Sequence, residues 1–191
     1  MATDKTRVPP GQSVTDKWPV LHYASVPRFD PARWNFRIFG LVEQPAPLTY
    51  DQFMALPQSK ITCDIHCVTA WSRLGVTFEG VLAKDVLGLA RVRPEARFAT
   101  VHAEQGYAAN LSLEYLLADD AIFAHKADGQ NLTPEHGWPL RLVVPRLYFW
   151  KSAKWARGVE LIAEDRPGFW EQRGYHMKGD PWKEERYGDP W

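Results

Sequence analysis

Hydrophobic and polar residues change rhythm several times along this chain, and each change predicts an element. In RWNFRIFGLV, Trp34, Phe36 and Ile38 alternate with polar neighbours, the period of a half-buried strand. QPAP then breaks the chain. The run Thr49-Tyr-Asp-Gln52 has the capping-box pattern and opens a short helix over TYDQFMAL, stopped by Pro57. Residues 60–66 return to period two, with Ile61, Cys63 and Ile65 on one face and Thr62, Asp64 and His66 on the other. Val81, Leu82, Val86 and Leu89 have helical spacing and predict a helix over 79–91. Phe98–His102 reads as a strand, Ser112 as the cap of a short helix over LEYLLA, and Asp128-Gly129 as a turn. Leu140–Val144, between Pro139 and Pro145, and residues 157–163 read as the last strands.

Strands and helices mix here without regular βαβ alternation, which predicts an α+β fold with mixed β-sheets and short helices. Residues 1–17 are expected to be a loose N-terminal arm and 18–171 the domain itself. Residues 172–191 lack a period and are expected to form a tryptophan-rich tail packed on the domain. Trp150, Trp155, Trp170, Trp182 and Trp191 all fall late in the chain, where they are expected to pack under loops or at an interface.

Composition narrows the function classes. A chain of 191 residues with 45% apolar content is long enough for one domain with a real core. The 23 basic residues balance the 23 acidic ones, so no field of one sign points to nucleic acid. No apolar run is long enough for a membrane span, and the first residues lack the apolar stretch of a secretory signal. The expected location is the cytoplasm, where thiols stay reduced. No Gly-rich dinucleotide fingerprint or P-loop is present.

The only cysteines, Cys63 and Cys67, lie in ITCDIHCVTAW. Four residues of extended strand separate them by about 13 Å, beyond the reach of a disulfide. A zinc site needs about four ligands, and neither a second cysteine pair nor histidines at ligand spacing are available. A thioredoxin-like site requires C-x-x-C. By spacing alone the reading that wins is two buried cysteines acting as small hydrophobes.

The wider segment changes that balance. DIHCVTAWS followed by FEGV resembles the catalytic-cysteine segment of the sulfite oxidase family of molybdenum enzymes. The likeness is closest to its short bacterial members, and the C-V-x-A-W-S core is also similar to the methionine sulfoxide reductase molybdoenzymes. WPVLHYASVPRFDPARWNFRIFGLVEQP resembles the family's N-terminal segment, and HGWPLRLVVPRLYFWKSAKWARGVELIAEDRPGFWE its cofactor-clamping segment. The resemblance implies a single sulfite oxidase-type molybdopterin-binding domain carrying molybdenum on a pyranopterin dithiolene. It implies that Cys67 is the metal ligand; a soft thiolate suits a soft, redox-active metal. Cys63 keeps its reading as a core residue.

Further residues follow from the same resemblance. His22 and Tyr23 are implied to contact the pterin from the N-terminal segment. His66 precedes the ligand and either bonds the cofactor or is structural, since a regular strand points it away from Cys67. Arg141, opposite Leu140 and Leu142, needs an anionic partner if buried, either the cofactor or a carboxylate. His136 stands where sulfoxide reductase relatives carry a cofactor-binding asparagine. Phe149, Trp150, Lys151, Ser152 and Lys154 form the segment implied to wrap the phosphate end, with Lys151 as the principal donor. Arg73 is a candidate for facing the substrate.

Two departures from the family pattern bear on substrate. Sulfite oxidases carry a C-A-G-N-R-R type run after the ligand, where this chain has C-V-T-A-W-S-R. Ala103 replaces a hydroxyl expected in sulfoxide reductase relatives. The leading expectation is a molybdopterin-dependent oxidoreductase. It would carry out two-electron oxygen-atom transfer on a small S- or N-containing substrate, and a separate electron donor or acceptor would serve it. The alternatives are a non-catalytic partner-binding module that retains the fold, and a zinc or thiol-redox protein resting on the cysteine pair.

Overall fold

A computed structural model describes residues 5–188. Two sheets stack with one core between them. The first contains β1 (Ser13–Val14), β4 (Ser59–His66), β5 (Trp71–Leu82), β8 (Ile122–Ala127), β9 (Gln130–Asn131) and β10 (Arg141–Val143). Its long strand β5 pairs antiparallel with β4 along one edge; on the other it meets β1, in parallel, and β8. The second sheet runs β3 (Ala46–Thr49), β2 (Asn35–Gly40), β11 (Ala156–Ile162), β6 (Phe98–Ala103), β7 (Ala108–Ser112). The helices are short: α1 (Tyr50–Met54), α2 (Ala83–Gly88) and α3 (Leu113–Leu116). The architecture is therefore α+β with mixed sheets, as the pattern predicts.

The inter-sheet core is apolar and aromatic. Phe36 of β2 meets Phe123 of β8 with ring centroids 5.0 Å apart, and Val81, Leu142, Val101, Val159 and Leu161 fill the layer around them. The outer face of the first sheet is covered as well. Ile65, Val76, Phe78, Ile122, Ala124 and Val143 form a second cluster there, packed against Trp18 and Phe149. An antiparallel sheet with one face on the core can leave the other to water. Here that face is apolar, and the segment around Trp18 closes over it.

Several expectations hold in detail. Trp34, Phe36 and Ile38 are all buried, and Thr49 and Gln52 close the capping box of α1 with both reciprocal bonds. Ile61, Cys63 and Ile65 all pack on the second cluster. Asp128 and Gly129, both at positive φ, turn the hairpin between β8 and β9.

Others need correction. Residues 79–82 are strand, not the start of a helix, and α2 begins at Ala83. Val76, Phe78 and Leu82 face the second cluster while Val81 faces the inter-sheet core, so period two runs straight through residue 82. The helical spacing came from reading the end of a strand together with the start of α2. Ser112 occupies the N-cap of α3 but makes no side-chain capping bond. The arm expected to be loose over 1–17 is pinned where it is described. Ser13–Val14 pairs with Trp71–Ser72, and Arg7 forms an ion pair with Asp64. Residues 1–4 lie outside the described residues, as does Trp191 of the tail. Strands β1, β3, β7, β8, β9 and the first half of β5 escaped the sequence reading, and β3 begins inside the QPAP expected to break the chain. In β8, Ile122 to His125 are all buried, so no alternation marks it.

Candidate functional site

The β4–β5 hairpin presents Cys67 at its tip. The Ala70 N–H donates to the Cys67 carbonyl at 3.1 Å, and the Cys67 N–H donates to the Trp71 carbonyl at 2.9 Å. This is the three-residue hairpin that ends on a left-handed residue, and Ala70 fills that position at φ 68°. Glycine is favoured there, because a Cβ in this region costs roughly 1–2 kcal/mol. The thiol of Cys67 is free, is 8% exposed as a residue, and lies 3.1 Å from Thr69 Oγ1. Cys63 is also free, but burial, then the carboxylates of Asp64 and Asp120, push its thiol up to about 12. The two cysteines are chemically unequal, and no disulfide joins them.

A cavity of about 310 Å³ opens beside Cys67. Of the residues singled out in the sequence, His22, Tyr23, Cys67, His136, Arg141, Phe149, Trp150, Ser152 and Lys154 line it. They arrive from four places: the segment after Trp18, the hairpin tip, β10 with the turn before it, and the loop after Tyr148. Arg141 is the most informative of them. It is 2% exposed, and its Nη1 and Nη2 donate to the backbone carbonyls of His136 (2.8 Å) and Ser152 (3.0 Å). Its Nε has no partner, and no carboxylate pairs with it among the described residues. Burial pulls its pKa down to about 9. Its guanidinium lies 4.2 Å over the Phe149 ring. Gly137, at φ 114°, allows this packing, since a Cβ there would stand 2.9 Å from the Arg141 Cβ. The carboxylate alternative for Arg141 finds no partner, and a cationic wall without a counter-ion remains.

Lys154 adds to that wall. Its Nζ donates to the Glu135 carbonyl at 2.7 Å, and burial, then the charge of Arg141, lower its pKa to about 7. The Ser152 Oγ accepts the Val144 N–H at 2.9 Å, which leaves its own hydrogen to donate. The ring of His136 is committed elsewhere. A carbonyl can only accept, so Nε2 carries the hydrogen and donates to Trp18 O (3.1 Å), while Nδ1 accepts from Thr133 Oγ1 (3.0 Å). His136 therefore anchors the Trp18 segment, and its ring also contacts the Trp18 ring, tilted, at 4.3 Å between centroids.

Three singled-out residues lie off the cavity. Lys151 is fully buried and surrounded by acceptors: Asn110 Oδ1 (2.7 Å), Asn110 O (3.0 Å), Met177 O (2.6 Å) and Glu171 Oε1 (2.6 Å). An ammonium has three hydrogens, so none is left for a phosphate. Arg73 pairs with Asp128 at 2.7 Å and lies 5.5 Å over the Trp18 ring. His66 sits behind the hairpin, 2.8 Å from Ser72 Oγ, and burial lowers its pKa.

The cavity also holds residues that the sequence reading passed over. Thr69, Trp71, Tyr107, Trp170 and Tyr175 line it. Tyr175 approaches Cys67 from the tail; burial, then Tyr187 and the Cys67 thiol, hold its phenol above the usual value. Nothing in the spacing of the tail marks it. Its position depends on the tail folding back across the loop after Tyr148, where the Tyr148 N–H donates to Gly179 O at 2.7 Å.

Residues 23–170 match the family described as oxidoreductase molybdopterin binding domain. The chain belongs to that family. It is 49% identical over 182 residues to the uncharacterized oxidoreductase YuiH of Bacillus subtilis (strain 168), covering 95% of this chain and 92% of that one. It is 26% identical over 179 residues to the sulfite oxidase of Arabidopsis thaliana, covering 75% of this chain and 46% of the relative. The crystal structure of the sulfane dehydrogenase SoxCD from Paracoccus pantotrophus has the same fold, with TM-score 0.69 at 23% identity over 75% of this chain and 42% of that one. The chain thus spans nearly all of YuiH but less than half of the other two. As a molybdopterin-binding oxidoreductase of sulfite oxidase type it uses molybdenum on a pyranopterin. Among the described residues no helix is long and apolar enough to cross a membrane.

The cavity suits that cofactor. Molybdopterin carries dithiolene sulfurs, a flat heterocycle and a phosphate. The cavity offers a free thiol at one wall, aromatic faces, and a buried guanidinium whose Nε is unpaired beside a lysine. Cys67 would complete the metal's sulfur ligation. Arg141, Ser152 and Lys154 would hold the anionic and polar parts, and His22, Tyr23, Phe149 and Trp150 would cover the ring.

Proposed function

We propose that this molybdopterin-dependent oxidoreductase catalyses two-electron oxygen-atom transfer on a small S- or N-containing substrate, with Cys67 as the protein ligand to molybdenum. One observation carries this reading: a free cysteine thiol and a buried arginine without a counter-ion among the described residues line the same cavity. A buried, unpaired guanidinium is costly unless an anion completes it. The name of the sulfite oxidase relative supports sulfur as the substrate atom, and those of nitrate reductase relatives support nitrogen.

The bound cofactor supplies the two-electron change that accompanies moving an oxygen atom. The chain supplies position and environment. The Cys67 thiolate, its proton lost on binding, fixes one wall of the metal site. Thr69 Oγ1, 3.1 Å away, can then act only as donor to that sulfur, because a thiolate has no hydrogen to give. Trp71, Trp170 and Trp150 line the pocket with aromatic faces and exclude water. Tyr175 presents a hydroxyl that keeps its proton at neutral pH, and it is the proposed donor to an oxygen of the substrate. With Arg73 held by Asp128, off the cavity, substrate oxyanions gain no help from it. Electrons are proposed to pass to or from a separate carrier. The cytoplasm, with two free thiols, is the proposed location.

The test uses protein made in a molybdenum-replete host. Cys67→Ser is expected to keep the pterin and lose turnover with S-oxides, N-oxides or sulfite, while Cys63→Ala keeps both. Full turnover in Cys67→Ser would remove Cys67 from its role. Loaded protein inert toward every substrate in such a screen would favour a non-catalytic module.

A further inference from the structure

The hairpin tip that carries Cys67 is held from outside by residues that belong to neither the hairpin nor the cavity wall. Gln12 Nε2 donates to the Cys67 carbonyl at 3.0 Å. Its Oε1 accepts from Ser72 Oγ at 3.4 Å, and Ser72 Oγ is in turn 2.8 Å from His66 Nδ1. A serine hydroxyl has one hydrogen, so with that hydrogen on Gln12 the His66 Nδ1 is the donor. Arg186 of the tail donates to the next carbonyl, that of Val68, and its Nη2 lies 3.4 Å from the Gly11 carbonyl. Further along the hairpin, the Ser13 N–H donates to Ala70 O and the Thr15 N–H to Ser72 O, each at 2.9 Å. The carbonyls of Cys67, Val68 and Ala70 are thus each bonded from outside the hairpin.

These bonds meet a turn that does not favour its own geometry, since Ala70 is at φ 68°. A strained residue persists only where its surroundings over-determine it. Released, residues 67–70 would relax, and the Cα–Cβ bond of Cys67 would swing with the peptide planes on either side. We propose that Gln12 and Arg186 are positioning residues for the metal ligand: they tie the hairpin tip at the successive carbonyls of Cys67 and Val68 and so aim the Cys67 sulfur into the cavity. This rests on Cys67 being the ligand. It also gives His66 a part, as the buried end of the hydrogen-bond chain through Ser72 to Gln12.

The experiment compares loaded wild-type enzyme with Gln12→Leu, Arg186→Leu and Arg186→Lys. It reads the electron paramagnetic resonance signal of the one-electron-reduced metal, pterin content, kcat and KM. A ligand displaced by a fraction of an ångström is expected to shift or split the signal and lower kcat by about tenfold or more, with KM and pterin content little changed. Arg186→Lys, which keeps a donor toward Val68 O, is expected to restore most of the wild-type signal. In the cofactor-free protein, Cys67 should be alkylated faster in both leucine variants. A wild-type signal and kcat in Gln12→Leu and Arg186→Leu, with only a lower melting temperature, would overturn the proposal. If Gln12→Leu does not fold, the Arg186 pair decides. Cys67→Ser separates the two levels. A wild-type signal in that variant defeats the ligand reading itself. Loss of signal there, with none in the clamp variants disturbed, defeats only the clamp.

Discussion

Arg141 and Lys151 are both buried cations from one stretch of sequence, yet their surroundings assign them opposite tasks. Lys151 is enclosed by Glu171, Asn110 and Met177, and removing one partner of a buried pair leaves the other uncompensated. Lys151→Met is expected to destabilise the cofactor-free protein by about 3–5 kcal/mol in urea unfolding, and Lys151→Met with Glu171→Leu to recover much of that loss. Arg141 has no such partner among the described residues. Arg141→Met is expected to change unfolding free energy by less than about 2 kcal/mol, two lost backbone bonds being offset by a charge no longer buried. Pterin retention in that variant should collapse. Lys154 adds a pH dependence of its own. Its pKa of about 7 in the fold lies below the ordinary lysine value, so above pH 7 the unfolded chain binds more protons than the folded one. Its contribution to the stability of the cofactor-free protein therefore rises as pH climbs from 7 toward the ordinary lysine range. Lys154→Gln should flatten that rise in denaturation curves taken across the window. Spacing shows that a lysine is present. Whether its three hydrogens are spent or free depends on contacts with residues such as Asn110 and Met177, remote in sequence.

At the scale of elements, the most legible parts were those with a single amphipathic face, while β10, buried throughout, was marked by the prolines on either side of it. β2, α1 and β11 each bury one side, and the alternation or the capping box marks them without help from the rest of the chain. β8 was invisible because both of its faces are covered, by the inter-sheet core on one side and the Trp18 segment on the other. The same double burial explains the false helix over 79–91. The candidate site divides in the same way. Cys67 and Arg141 sit in segments whose resemblance to the family could be read directly. Thr69 and Trp71 were within the quoted motif, but their approach to the cavity depends on the turn at Ala70. Tyr175 belongs to a tail without periodicity, and only its return across the loop after Tyr148 brings it beside Cys67.

On the scale of the whole molecule, stability rests on the contact between the sheets. Phe36 and Phe123 are both fully buried and in ring contact. Phe123→Ala is expected to cost about 3–5 kcal/mol, measured as a shift of one cooperative urea transition without change of slope. The second sheet has a further property. β11, residues 156–162, lies in its middle, parallel to β2 and antiparallel to β6, although more than a hundred residues separate it from β2. While the ribosome is still short of residue 156, β2 and β6 have no strand between them. Their facing edges have only water or each other to bond. The order of synthesis therefore places assembly of the cofactor cavity after residues 156–162 have left the ribosome. A chain halted before residue 156 should be digested by protease as readily as an unfolded one, and the pterin should find no home until the last central strand has slid into place.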